Sequence, residues 1–400
     1  MNELLSKEKL MKEILIYMRR PLLKPVGGPI GYNYNLALQL QEKGVKNIHY
    51  IESSKGDVSD FNQKVRNIKI GWLRNVITIA KSFYRKFKLL YGFSHKAMID
   101  LNQFDIVHFQ STMDLFDCRD SLKHYKGKVV LTSHSPTVFW KEMFAMLTSW
   151  ERKYMGWFYK KLERMDEYAF KRADFIVFPC EEAEEPYYNS WEKYKDIREQ
   201  KKSCYRYVLS GINDVCARES RSEIRKKYGI PENAFVVSYV GRHNEIKGYD
   251  ILKSIGETIL QDENVWVLVA GREGPLFRLN HPRWIEIGWT TDPHSPIAAS
   301  DLFILPNRET YFDLVLLELL ALGKIVLASY TGGNKFFDKL QPNAVVTYKS
   351  LDEALQKINE IRRMSPEDRK FFERRNRSLY ERYFNSSVFA EQYVELLNSL

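Results

Sequence analysis

Arg242 and Lys247 lie in the run Gly241-Arg242-His243-Asn244-Glu245-Ile246-Lys247-Gly248, directly after a strand-like segment over 234–240. A strand end delivers Arg242 into the crevice where open α/β sheets bind ligands, and Lys247, about one helical turn further on, can reach the same point. Two fixed cations can hold a diphosphate and stabilise the charge that develops on it as a leaving group. The competing reading is a pair of solvated loop cations. Glu318 is the second unusual residue, one turn into an apolar helical pattern. A carboxylate there is costly to desolvate unless it is paired or reaches the crevice; a surface glutamate on an amphipathic helix is the plain alternative. His108 and His134 each sit at the end of a strand-like run. That places both imidazoles for chemistry, against the commoner structural hydrogen-bonding role.

The elements that must position these groups follow from pattern and punctuation. Residues 302–334 read as strand, polar loop, helix, strand and turn: an apolar run ends at Pro306, and Ile325-Val326-Leu327-Ala328-Ser329 precedes the pair Gly332-Gly333. Asp313 is expected to cap the helix through its side chain, and Gly323 to end it in the left-handed conformation. Leu314, Leu317 and Leu320-Ala321 recur at helical spacing and should face the core. At the other end of the chain, a strand over 14–17 leads into a loop with Arg19, Arg20, Lys24 and Gly27-Gly28-Pro29-Ile30-Gly31, then a helix from about Asn33 to Glu42. A glycine-bearing strand-to-helix turn presents bare amides and favours a phosphate. It is not the GxGxxG fingerprint, and a ligand-free turn cluster is the alternative.

The 302–334 stretch resembles the EX7E region of family 4 retaining glycosyltransferases, usually Glu-Gly-Phe-Gly-Leu-Val-x-Leu-Glu followed by helix, Gly, strand and a Gly pair. Matching Phe312, Leu314-Val315 and Leu317-Glu318 aligns Glu318 with the family's second glutamate, which holds the nucleotide ribose. The family's first glutamate falls on Thr310, the available carboxylate Glu309 lies one residue earlier, and Asp313 replaces a glycine. Either a bulged loop lets Glu309 reach the donor sugar, or Asp313 or the Thr310 hydroxyl takes over; Glu309 is favoured. Gly241-Arg242 with Lys247-Gly248 resembles the family's diphosphate clamp, and Thr132-Ser133-His134-Ser135-Pro136 its strand-end histidine motif, against the donor sugar. Gly28 resembles the family's glycine loop. Arg172-Ala173-Asp174 and the segment 208–214 match its order of elements. The resemblance implies a GT-B fold, two Rossmann-like domains facing across a cleft. It assigns Arg242, Lys247, His134 and Glu309 to catalysis, with Gly28, Asp313, Leu314, Glu318, Gly332 and Gly333 also on the donor. Asp114 and His108, near the first strand ends, are candidates for the acceptor, with Asp117 and Asp120 beside them; a solvated loop explains the aspartates equally well.

The 400 residues, 44% hydrophobic, suit two cores. We place an extension at 1–10, an acceptor domain at 11–205, a nucleotide-sugar domain at 206–375, and a crossover helix at 376–400 that returns to the first domain. Cys118, Cys180, Cys204 and Cys216 form no metal or disulfide pattern. A long charged helix is expected over 150–171. The first ten residues lack a hydrophobic targeting core, and no apolar run approaches the ~20 residues needed to span a bilayer. The chain is therefore expected in the cytoplasm, soluble or peripheral on the membrane. A formal charge of +10 draws it to polyanions. Residues 72–91 keep helical period with an aromatic face and a cationic face carrying Arg74, Lys81, Arg85 and Lys88. That segment is either a packed surface helix or an interfacial helix on an anionic membrane.

These readings converge on a retaining, metal-independent glycosyltransferase that needs no cofactor beyond its nucleotide-diphosphate sugar, UDP-linked by preference. It would move a hexose or N-acetylhexosamine to a glycan, lipid-linked or cell-envelope polymer acceptor, as in bacterial polysaccharide assembly. The alternatives are a GT-B-fold sugar-nucleotide epimerase and a non-catalytic glycan- or nucleotide-binding module. A nucleic-acid partner is not expected: the charge fits, but no RNA-binding signature accompanies it.

Overall fold

The computed structural model describes residues 12–19, 23–24, 28–51, 71–145, 147–342 and 344–400. The expected extension over 1–10 lies outside them, as do Arg20 and Gly27. Among the described residues the chain builds two six-stranded sheets, every pairing parallel. The first has the order β2-β1-β3-β4-β5-β6, with β1 (Ile14–Tyr17), β2 (Ile48–Tyr50), β3 (Ile106–Phe109), β4 (Lys128–Leu131), β5 (Phe175–Phe178) and β6 (Tyr205–Tyr207). The second has the order β12-β11-β10-β7-β8-β9, with β7 (Phe235–Val240), β8 (Val265–Ala270), β9 (Trp284–Gly288), β10 (Leu302–Leu305), β11 (Val326–Ser329) and β12 (Val346–Tyr348).

Parallel sheets are covered on both faces, so their strands read as unbroken apolar runs. Phe235-Val236-Val237-Ser238-Tyr239 is such a run and is buried throughout. Each sheet reverses its strand order once, between β1 and β3 and between β7 and β10. Those switch points leave a crevice at the carboxyl ends of the strands. The loops after β1, β7 and β10 open there and carry Gly28, Arg242, Lys247, Glu309 and Asp313, while His134 follows β4 and Gly332 and Gly333 follow β11.

The helices used below are α1 (Pro29–Glu42), α2 (Gly71–Tyr91), α3 (Phe139–Ala145), α4 (Ser149–Lys160), α5 (Glu185–Ser190), α6 (Leu314–Ala321) and α7 (Ser386–Ser399). Gly323 ends α6 at φ 66°, the left-handed conformation expected of it. Asp313 occupies the N-cap position of α6, but its side chain makes no capping hydrogen bond. Its carboxylate is engaged elsewhere, so side-chain capping is corrected. The helix expected over 150–171 is two helices, α4 and Glu163–Arg172. Bonds of the i→i+3 type, from Lys161 N to Phe158 O and Leu162 N to Tyr159 O, tighten the chain between them.

The boundary drawn at 205/206 cuts through β6, which pairs with β5 in the first sheet. The crossing comes later, at Ile212, whose backbone bonds Phe384 O and Ser386 N on the returning segment. From there α7 runs back over the first domain. Phe389, Tyr393 and Leu397 are fully buried against Ile14, Ile16, Leu36 and Val177. A core shared by both units, from Phe178 and Tyr187 to Tyr311 and Phe312, fills the space behind the crevice.

Candidate active site

On the second sheet, Arg242 leaves the end of β7 and Lys247 follows on the same loop. The loop packs closely against the chain after β10: a Cβ on Gly248 would lie 1.7 Å from Pro306 O. Gly248 sits at φ 65°, so a side chain is excluded there by conformation as well as by contact. Lys247 Nζ reaches Asp313 Oδ1 at 2.6 Å, and the Asn307 amide bonds the other oxygen of the same carboxylate. The β7–β10 switch point thus ties the clamp loop to the 307–313 loop. Arg242 is exposed, with its carbonyl held by the Tyr239 hydroxyl at 2.8 Å. Glu318 is half-buried on α6, its carboxylate 3.4 Å from His294 Nε2. Leu314 packs at the start of α6 against the cores of both units.

On the first sheet, Gly28 opens α1 at φ 73°, ψ −155°, a region only glycine enters readily, and a Cβ there would meet nothing within 4 Å. His134, after β4, has φ 56°, the one non-glycine residue with positive φ among those described. Such strain persists only where the surroundings enforce it. Its Nε2 donates to Gln110 Oε1 at 2.7 Å, which leaves Nδ1 as acceptor. Its ring lies 4.5 Å from Tyr32 on α1 and 6.3 Å from Tyr311 of the opposite domain. Burial pushes its pKa down to about 3, so the imidazole is neutral at physiological pH.

His108 does not join this group. It is fully buried, with Nδ1 2.6 Å from the Tyr393 hydroxyl on α7 and Nε2 2.8 Å from Thr132 Oγ1. Its face of β3 is the one that the returning helix covers, and this removes it from the acceptor role. Asp114 is nearly buried at the crevice edge and accepts from Arg19 N at 3.3 Å. Asp117 pairs with Arg19 and His95, and Asp120 accepts from His95 N and Lys123. The aspartates fasten loops to one another.

The three candidates for the first-glutamate role are separated by the 307–313 loop. Asp313 faces Lys247. Thr310 is buried, with an unpartnered hydroxyl, beneath Gly332. Glu309 points towards the first domain, where Asn189 bonds it, and its Oε2 is buried without a hydrogen-bond partner. Burial raises its pKa; Asn189 opposes, and Glu185 reinforces the rise. Asn307 Oδ1 is orphaned in the same loop. Buried polar atoms without partners are uncommon in native proteins, and three within four residues suit a polyhydroxylated ligand.

Glu185, Asn307, Tyr311 and His294 were not anticipated from the sequence. Glu185, at the start of α5, reaches across the domains: its carboxylate accepts from Gly332 N at 3.2 Å and pairs with Lys335. Glu182 pairs with Lys339 alongside. The amide of Gly332, a residue expected on the donor, is therefore held by a carboxylate of the other domain. Only a partner about 150 residues away gives Glu185 this place, so no local signal marks it. Gly332 and Gly333 also serve packing, since a Cβ would lie 2.0 Å from Thr310 O and 2.3 Å from Tyr311 O, respectively.

Residues 26–188 match the family model described as Glycosyltransferase Family 4, and residues 234–363 the one described as Glycosyl transferases group 1. A glycogen synthase of Bacillus licheniformis is 26% identical over 37% of this chain and 37% of its own length. The O-antigen biosynthesis glycosyltransferase WclY of Escherichia coli is 22% identical over 48% of this chain and 55% of its own. The chain thus spans about half or less of these relatives. Among solved structures, Anabaena Alr3699/HepE in complex with UDP and glucose superposes with a TM-score of 0.60 at 15% identity, covering 97% of this chain and 100% of that one. The fold they share is the two-domain GT-B arrangement.

Proposed function

This chain belongs to the GT4-like glycosyltransferases of GT-B fold, and we propose that it transfers a hexose or N-acetylhexosamine, with retention, from a nucleotide-diphosphate sugar to a glycan, lipid-linked or cell-envelope polymer acceptor. The observation that carries the reading is the arrangement at the β7–β10 switch point: Arg242 and Lys247 follow β7, Lys247 pairs with Asp313 in the loop after the neighbouring β10, and Glu318 lies one turn into the helix that the loop enters. Fixed cations at strand ends suit a diphosphate, and a half-buried carboxylate suits ribose hydroxyls. The UDP in the HepE structure supports a UDP-linked donor.

In this reading Lys247 exchanges Asp313 for a phosphate oxygen, and Arg242 takes the other side of the diphosphate. Glu318 accepts from the ribose. The orphaned atoms of Asn307, Glu309 and Thr310 meet sugar hydroxyls, and neutral His134 accepts a hydroxyl hydrogen at Nδ1. The bond from the anomeric carbon to the phosphate oxygen breaks, and the acceptor oxygen bonds the same face. The departing phosphate takes the acceptor proton, so the route requires no enzymic nucleophile, and the two cations carry the charge neutralisation without a metal.

A thermal-shift panel of UDP, GDP, ADP and TDP, followed by mass spectrometry of nucleotide-sugar hydrolysis, tests this. A ligand at 100 times its dissociation constant adds about 2.7 kcal/mol to stability. The expected result is a selective shift with slow sugar release, and Arg242→Ala should abolish the release while keeping the melting temperature. One observation favours a binding module without turnover: the pairing of Lys247 with Asp313, a residue where the family motif has glycine. A nucleotide shift with no sugar release and no transfer would select that reading.

A further inference from the structure

The face of the first domain built by α2 and α4 is exposed, aromatic and rich in cations. On α4, Trp150, Tyr154 and Trp157 recur at helical spacing on one side and are 58%, 54% and 61% exposed. On α2, Trp72, Val76, Tyr84 and Phe87 are exposed, and none of the side chains described on that helix is fully buried. The two helices meet at Phe158, whose ring lies 4.4 Å from Phe83, 6.4 Å from Phe87 and 6.0 Å from Trp157. The aromatic sides of the two helices, far apart in sequence, are therefore joined through the buried Phe158 ring, with the exposed Phe87 and Trp157 both beside it.

On the two helices themselves the charges are almost all positive. Residues 71–91 contain Arg74, Lys81, Arg85, Lys86 and Lys88 and no acid. In α4 the sole acid, Glu151, is consumed by a capping box with Thr148. Cations lie over the exposed rings themselves, Lys161 at 4.7 Å from Trp157 and Lys153 at 5.2 Å from Tyr154. We infer that this two-helix face docks on an anionic phospholipid bilayer, with Trp150, Tyr154 and Trp157 at headgroup depth and the lysines on lipid phosphates. A second copy of the chain would set cations against cations, which disfavours self-association. Val76 and Phe87 among the rings suit the acyl boundary better than a nucleic-acid groove, which needs stacking surfaces along a basic channel. The patch adjoins the crevice through α3: Phe144 packs on Gly156 of α4, and Glu142 accepts from Ser135, the neighbour of His134. A docked bilayer would lie beside the acceptor wall of the cleft, although the surface stands on its own whether or not the chain transfers sugar.

Flotation with phosphatidylcholine vesicles, with and without phosphatidylglycerol, tests the inference on the full chain. The protein should float with the anionic vesicles alone, salt should weaken this, and tryptophan emission should shift to the blue. Trp150→Ala with Trp157→Ala should cut partition about tenfold, while Lys153→Glu with Lys160→Glu should abolish it. Both doubles alter exposed side chains and should keep the wild-type melting curve and nucleotide shift, which separates failure of docking from failure of the transferase reading. Absence of flotation, equal flotation of the tryptophan double variant, or capture of single-stranded DNA or a second copy in place of vesicles would overturn it.

Discussion

Asp313 decides how strongly the cation pair can act. Its carboxylate is shared between Lys247 and Asn307 and caps nothing, so removing it should free Lys247 without unwinding α6. Partly exposed ion pairs of this kind contribute up to about 1 kcal/mol, and that is the barrier a diphosphate must overcome to take the lysine. Asp313→Ala should therefore tighten nucleoside-diphosphate binding by up to about fivefold, measured by calorimetry at constant salt; weaker binding would mean that Asp313 belongs to the ligand site itself. His134 shows the same economy of placement. A non-glycine residue at φ 56° is held between Gln110, Tyr32 and Tyr311, and its burial keeps it neutral.

At the scale of elements, the turn after β11 and the loop after β10 form a single unit that glycine makes possible. Gly332 has φ 44° and its missing Cβ would strike Thr310 O, whereas Gly229 has φ 67° but faces open space. Gly229→Ala should cost about 1 kcal/mol, the usual penalty for an alanine in left-handed backbone. Gly332→Ala adds the displacement of a backbone carbonyl and should cost about 2–4 kcal/mol. Comparing the two variants by chemical denaturation isolates the contact. Equal losses would show that the 307–313 loop yields freely, and that Gly332 does not fix the position of Glu309.

Across the whole molecule, two buried acids set a pH dependence unrelated to the crevice chemistry. Asp166 accepts the Thr112 hydroxyl at 2.9 Å and leaves Oδ2 without a hydrogen-bond partner; burial raises its pKa to about 7. Glu286, beside Trp284, Tyr249 and His243, is also raised to about 7 by burial, and burial lowers His243. Unfolded carboxyls titrate near 4, so between about pH 4 and 7 the folded chain holds protons that the unfolded chain has released. By themselves these two acids make stability fall as pH rises through that window, and they are opposed below about pH 6.5 by the buried His108 and His134, which the unfolded chain protonates and the fold does not. Asp166→Asn and Glu286→Gln should each shift the slope of melting temperature against pH in the positive direction across that range; an unchanged slope would mean that the acid replaced is not protonated in the fold. The interdomain contacts belong to this scale too. Tyr311 packs on Phe178 at 5.5 Å, and Glu185 and Glu182 pair with Lys335 and Lys339.

The sequence by itself determined the two α/β units, because unbroken apolar strands such as 235–239 followed by glycine turns admit few other folds. It also marked Arg242, Lys247 and Glu318, since charged groups at strand ends and in an apolar helix stand out against local pattern. The return of the terminal helix to the first domain was placed from the sequence within 376–400. Tertiary structure alone decided what each polar group touches. His108 and His134 carry the same strand-end signal, yet one faces α7 and the other faces the cleft, because the two sheet faces meet different partners. Asp313 read as a cap and became the partner of Lys247, while Glu185, which no local pattern marks, accepts from the Gly332 amide. Secondary structure follows from neighbours a few residues apart, whereas these pairings join residues 66 and 147 positions apart that only the packing of two sheets brings together.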